Sequence, residues 1–196
     1  MEPVRLAVFA SGHGSNLQAL LDEPRRNPDW PARVVAVVSD KPGALAATRA
    51  EKAGVPVFAK SPRTYPDKPA FERDVLRFLH EHGVQWIALA GYMRLVGDVL
   101  LTAYPNRILN IHPSLLPHFP GRHAVQDALA AGAKETGVTV HLVDDGIDTG
   151  PILLQARVAI PDGITEEDLL ARIHKVEHKL YPLAVSLAVA GWLREE

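Results

Sequence analysis

Short apolar runs rich in Val, Ile, Leu and Ala recur along the chain, and stretches of helical periodicity separate them. Residues 4–10, 33–39, 55–58, 86–91 and 107–111 each read as a strand, because a nearly continuous apolar run of this length suits a strand covered on both faces. Between them lie an amphipathic segment at Leu17–Leu21, an Ala-rich helix of about ten residues after Pro42-Gly43, and an amphipathic helix over 70–82 that stops before Gly83. Residues 60–69 are rich in proline and read as a loop. Strands alternating with helices demand right-handed crossovers and parallel pairing. Residues 136–143 and 152–160 supply two more strands. The expected fold is therefore α/β: an open, mainly parallel twisted sheet of about seven strands with helices on both faces. Thr165-Glu166-Glu167-Asp168 reads as a capping box opening a last helix, with Leu169, Ile173, Val176 and Leu180 as its apolar stripe and Glu177 at the border. Pro182 is expected to kink or interrupt that helix.

The 196 residues fit one domain, without repeats, linkers or low-complexity segments. A formal net charge of -2 excludes the basic surplus behind general nucleic-acid binding. The absence of cysteine excludes disulfides, thiolate metal sites and a cysteine nucleophile. Residues 1–9 lack the basic segment of a signal peptide, and no apolar run approaches a membrane span. The expectation is a cytoplasmic protein without membrane or nucleic-acid partners, monomeric or homodimeric.

Two motifs carry chemistry. Ser11-Gly12-His13-Gly14-Ser15-Asn16 joins the first strand to the first helix. In such a turn backbone N–H groups and a helix N-terminus can receive a phosphate, with Ser15 or Asn16 capping or binding directly. Leu17 stands where a dinucleotide fingerprint has its third glycine, so a plain phosphate cradle is favoured over a dinucleotide site, with a purely geometric turn as the alternative. The second motif is Leu109-Asn110-Ile111-His112-Pro113. In an extended chain residues i and i+2 share a side, so Asn110 and His112 present a neutral donor and a titratable ring together. That pair suits an oxyanion donor and an acid or base for acyl chemistry, unless both are structural.

Other residues fall into place around these. Gly91-Tyr92-Met93-Arg94 ends the fourth strand, where open α/β sheets bind ligands, and Arg94 suits an anion or a flat ring. In the acidic loop 144–151, Asp144 and Asp145 read as solvated turn residues, while Asp148 is a carboxylate for an imidazole. An EF-hand fails there because Gln155 replaces the bidentate Glu. His118 and His123 lack the spacing of a helical zinc pair, and no metal is expected.

Taken together, Ser11–Leu17, Leu89–Arg94, Asn110–Pro117 and Asp148-Thr149-Gly150-Pro151 resemble the phosphoribosylglycinamide formyltransferases, a folate-dependent family of purine synthesis. The order and spacing match along the whole chain. The resemblance implies one formyltransferase domain over 1–196, with a Rossmann-like phosphate-binding half (1–105) and a catalytic, folate-binding half (106–196). It implies 10-formyltetrahydrofolate as co-substrate, glycinamide ribonucleotide as acceptor, and no metal. It assigns catalysis to Asn110, His112 and Asp148. Gly14, Ser15 and Asn16 would hold the phosphate, Glu177 the ribose hydroxyls, and Met93, Arg94, Leu95, Asp144 and Ile147 the folate. His13 stands where the family often has Asn, and the family's phosphate-contacting Arg corresponds to Lys68 or Arg63. Hydrolysis of formylfolate by the same triad and a non-catalytic nucleotide-binding module are the alternatives. A transfer-RNA formyltransferase is disfavoured by the lack of an added domain.

Overall fold

A computed structural model describes the backbone of residues 2–195 and the side chains of residues 2–191. Strands β1 (Val4–Phe9), β2 (Ala32–Ser39), β3 (Val57–Ala59), β4 (Trp86–Leu89), β5 (Ile108–His112), β6 (Glu135–Leu142) and β7 (Ile152–Ala159) form one sheet in the order β3-β2-β1-β4-β5-β6-β7. The first five in that order pair in parallel, whereas β6 and β7 extend the sheet as an antiparallel hairpin. The helices are α1 (Ser15–Arg26), α2 (Leu45–Lys52), α3 (Lys68–Glu81), α4 (Asp98–Ala103), α5 (Ala124–Ala130) and α6 (Glu166–Glu195).

Chain direction decides which face each helix covers. The path β1-β2-β3 moves outward, then returns past β1 to β4 and β5. A right-handed crossover run in the reverse direction places its helix on the opposite face. Leu17 and Leu20 of α1 and Ala46 and Ala50 of α2 accordingly pack on Leu6 and Val8 of the first face. Phe71, Val75 and Leu79 of α3 and Leu100 of α4 pack on Ala7, Phe9, Ile87 and Ile108 of the second. Helices α5 and α6 also give their buried residues to the first face. Beyond Ile108, the second face of β5 and β6 is therefore covered by loops, and Asn110 and His112 project there.

Two elements depart from the sequence expectation. The interruption expected as one outcome at Pro182 does not occur, since α6 continues through it to Glu195. Its neighbourhood is anchored by tertiary bonds: Trp30 Nε1 donates to the Pro182 carbonyl at 3.0 Å, and the fully buried Tyr181 hydroxyl donates to Leu89 O at 2.7 Å. Packing of the surrounding helix thus overrides the local cost of proline. Helix α4 has no sequence signal, because its N-terminal partner is distant in sequence. The buried Glu72 of α3 accepts the Gly97 N–H at 2.7 Å. Burial raises the Glu72 carboxyl, and the N–H groups of Gly97 and Leu100 partly offset this. No helix among the described residues is long and apolar enough to cross a membrane.

Candidate active site

β1 and β4 are neighbours whose connections leave in opposite directions, so a crevice opens at their carboxyl ends. A cleft of about 650 Å³ occupies it, lined by the 11–16 turn, Gly91–Val96, Asn110–Pro113, Asp144–Asp148, His174 and Glu177. It brings the residues expected from the sequence to bind and to react into one space.

At one end lies the turn. Gly14 has φ 74° and precedes α1, which has no side-chain cap. A Cβ at Gly14 would stand 2.8 Å from Ala46 Cα and 2.9 Å from Ala46 Cβ. Only glycine fits this left-handed position against α2. The first-turn N–H groups of a helix lack intrahelical acceptors and can receive an anion. Asn16 does not cap the helix: its Nδ2 donates to Glu177 Oε2 at 3.1 Å, while its buried Oδ1 has no partner among the described residues. Glu177 is 6% exposed, and burial pushes its carboxyl up to about 7 against the opposing bond from Asn16. His13 and His174 also line the cleft here. Burial, and then the charge of His13, hold His174 below the ordinary imidazole value.

At the other end Asn110 and His112 share one side of β5, and His141 stands opposite Asn110 in the antiparallel register. Asn110 Nδ2 donates to His141 Nε2 at 3.3 Å, and His141 Nδ1 donates to the Leu142 carbonyl at 2.8 Å. His112 Nε2 donates to Phe119 O at 2.8 Å while its Nδ1 lies 3.5 Å from Asp148 Oδ2. Asp148 Oδ1 is 3.7 Å from His141 Nε2, and Asp148 Oδ2 accepts the Gly121 N–H at 2.9 Å. Burial alone would raise the Asp148 carboxyl. Against it, the neighbouring imidazoles of His141 and His112 and the Gly121 N–H leave it below the ordinary carboxylate value. Phe119 and Asp148, which hold His112 from two sides, both have positive φ, 50° and 54°. For residues other than glycine this costs of order 1–3 kcal/mol each and persists only where the surroundings enforce it.

The side walls are apolar. Met93, Leu95 and Ile147 are each about half exposed and border the cleft. Asp144 is an exposed turn residue as expected, and its Oδ1 accepts from Thr149 Oγ1 at 2.7 Å and Gly146 N at 3.0 Å, which braces the loop carrying Asp148 and draws the Asp144 carboxyl down. Arg94 is half tied down, its Nε donating to Asp40 Oδ2 at 2.9 Å.

Some assignments change. Arg63 and Lys68, the candidates for a phosphate-contacting cation, line a neighbouring cleft of about 660 Å³ with Arg94 and Arg122 and are not part of the cleft at Gly14. The proline-rich loop leads into α3 on the second face, whereas the turn packs on α2. His141 is a site residue that the sequence did not single out as one. Its position on the same side as Thr139 was visible, but its place opposite Asn110 depends on an antiparallel register. Asp40 was missed entirely, since it follows β2 with no motif around it. Among the described residues no group of three or more His, Asp or Glu side chains is placed to hold a metal ion.

Comparison with known proteins agrees with this geometry. Residues 4–185 match the family model described as formyl transferase. The chain is 50% identical over 181 residues to phosphoribosylglycinamide formyltransferase of Bacillus subtilis (strain 168), covering 92% of each protein. It superposes on glycinamide ribonucleotide transformylase 1 of Symbiobacterium toebii with a TM-score of 0.93 at 49% identity, covering 96% of this chain and 89% of that one. The corresponding protein of Geobacillus kaustophilus gives 0.91 at 54% identity, with 95% and 98% covered. A glycine turn and an amide–imidazole–carboxylate constellation share one cleft, and these matches along nearly the whole length place the chain in the formyl transferase family, among the phosphoribosylglycinamide formyltransferases.

Proposed function

We propose that the protein transfers the formyl group of 10-formyltetrahydrofolate to the amine of N1-(5-phospho-D-ribosyl)glycinamide, a step of de novo purine synthesis that yields the N2-formyl product and tetrahydrofolate. One observation carries the proposal: a single cleft joins the Gly14 turn at the N-terminus of α1 to the Asn110–His112–Asp148 group, with apolar side chains between and beside them. A hydrolase of formylfolate would have no use for the turn.

In this reading the N–H groups after Gly14, with Ser15 and Asn16, hold the ribonucleotide phosphate, and Glu177 meets the ribose hydroxyls. Met93, Leu95 and Ile147 embrace the folate ring system, and Arg94 faces its anionic part. The amine nitrogen attacks the formyl carbon, and the carbonyl electron pair moves to oxygen. Asn110 donates to that oxygen. His112 acts as an imidazolium whose charge is felt strongly because the ring is only 5% exposed. Its ring nitrogens already face Phe119 O and Asp148, so its contribution is charge more than a free N–H. Asp148 stabilises that charge and, through a water, takes the proton from the attacking nitrogen. Collapse of the intermediate breaks the bond to the folate nitrogen, which takes up the proton. His141 orients Asn110. Much of the acceleration comes from holding two substrates in line.

The test is consumption of 10-formyltetrahydrofolate by the purified protein, with and without the ribonucleotide and with chelator as a control. Product formation that requires the ribonucleotide and ignores chelator supports the proposal. Formate release without it indicates a hydrolase, and no turnover in either case a binding module.

A further inference from the structure

The two substrate ends of the cleft are tied together by a residue outside both. Asp40 follows β2 and is 4% exposed. Its Oδ1 accepts from Ser11 Oγ at 2.6 Å, and its Oδ2 accepts from Arg94 Nε at 2.9 Å. Ser11 begins the Gly14 turn after β1, and Arg94 stands in the loop after β4. The same Ser11 Oγ accepts the Met93 N–H at 2.8 Å. An ionised carboxylate only accepts, so it forces the Ser11 hydroxyl to point its proton at Asp40 and to offer its lone pairs to Met93. Three strand ends adjacent in the order β2-β1-β4 thus converge on one carboxylate. Arg94 spends only its Nε on this contact, and its terminal nitrogens have no protein partner among the described residues. The guanidinium borders both the main cleft and the neighbouring one.

We propose that Asp40 is a positioning residue that couples the phosphate turn to the folate loop. It acts through Ser11 on the turn and Met93, and through Arg94 on the folate wall, and touches neither substrate. The proposal rests on the assignment of the two ends of the cleft to ribonucleotide and formylfolate. An amide cannot replace the carboxylate. Asn has one acceptor oxygen, so turning it toward Ser11 aims the NH2 group at a cation, and turning it toward Arg94 removes the acceptor for the Ser11 hydroxyl.

Steady-state kinetics of the full chain test this, with wild-type turnover as the check on the functional assignment itself. If wild type does not transfer formyl to the ribonucleotide, that assignment fails whatever the variants do. With an active wild type, Asp40→Asn is expected to raise KM for formylfolate about tenfold and KM for the ribonucleotide severalfold, with kcat within about threefold, since charge-assisted bonds to a buried group are lost while Asn110, His112 and Asp148 stay in place. Arg94→Met is expected to raise KM for formylfolate about tenfold in wild type but less than twofold in the Asp40→Asn background. KM values within twofold of wild type for Asp40→Asn, or independent multiplication of its effect with that of Arg94→Met, overturn the proposal. Should Asp40→Asn fail to fold, the cycle Ser11→Ala against Arg94→Met decides. Hydroxyl and guanidinium meet through Asp40, so non-additive KM effects support coupling and additive ones refute it.

Discussion

Replacing Glu177 by Gln is expected to stabilise the substrate-free protein above neutral pH and to remove a pH dependence of its stability. The carboxyl is 6% exposed and its single bond, from Asn16 Nδ2, can equally be accepted by an amide oxygen. Burial moves its pKa from 4.5 to about 7. In the unfolded chain the group ionises at its ordinary value, so between 4.5 and about 7 the folded state binds more protons and stability falls as pH rises. At about 1.36 kcal/mol per tenfold change in proton affinity, the accumulated loss is about 3 kcal/mol by pH 8. Gln mimics the protonated acid, so the two proteins should be nearly equally stable near pH 4.5 and diverge by about that amount at pH 8. Urea denaturation of both from pH 4.5 to 8.5 reads this directly, because every other titrating group cancels in the difference. A difference that stays flat within about 1 kcal/mol would refute the argument that Glu177 is desolvated in the folded state. The same variant is expected to bind the ribonucleotide more weakly, as a charged acceptor for the ribose hydroxyls becomes neutral.

Three further outcomes follow from the geometry. His112→Ala is expected to lower kcat at saturating substrates by about a hundredfold or more, and a loss of only a few-fold would remove His112 from the proposed mechanism. Asp148→Asn is expected to reduce kcat at least tenfold, and to abolish a stabilising contribution that in wild type is present above the ordinary carboxylate value and disappears as pH falls through the lowered folded value. Acid denaturation followed by circular dichroism would show the wild type with this additional acid-sensitive step and the variant without it. Gly14→Ala should destabilise by roughly 1–3 kcal/mol, since the left-handed backbone and the approach of Ala46 both oppose a methyl group. It should also raise KM for the ribonucleotide well before it affects KM for formylfolate.

The sequence discloses what is local. The apolar runs of β1, β2, β4 and β5 and the glycines at the turn are short-range signals, and they place the parallel sheet and the strand–turn–helix at Gly14. Asn110 and His112 were legible because strand periodicity alone puts them on one side. The strand extends one residue beyond expectation, to His112, which leaves that argument intact. What escaped depends on contacts distant in sequence. Helix α4 starts where Glu72 accepts the Gly97 N–H, a bond made from another helix. His141 acquires its partner Asn110 from the register of β5 against β6. Asp40 becomes meaningful only when three strand ends stand side by side, and Arg63 and Lys68 could be placed only once α3 was assigned to the opposite face from the turn. Pro182 does not interrupt α6, and the anchors beside it, at Trp30 and Tyr181, reach partners distant in sequence.

The bond between Asn16 and Glu177 spans 161 residues of chain. During synthesis the Gly14 turn is made early, but its carboxylate wall is translated much later, and the intervening polypeptide must order before the two meet. Closing so long a loop is entropically unfavourable until the sheet has organised the path between its ends. A growing or truncated chain that lacks α6 can therefore carry the turn's backbone without the Glu177 wall of the cleft. A ligand that needs both Asn16 and Glu177 therefore reports that α1 and α6 have come together. A molecule that binds only the finished cleft stabilises α6 in its docked position.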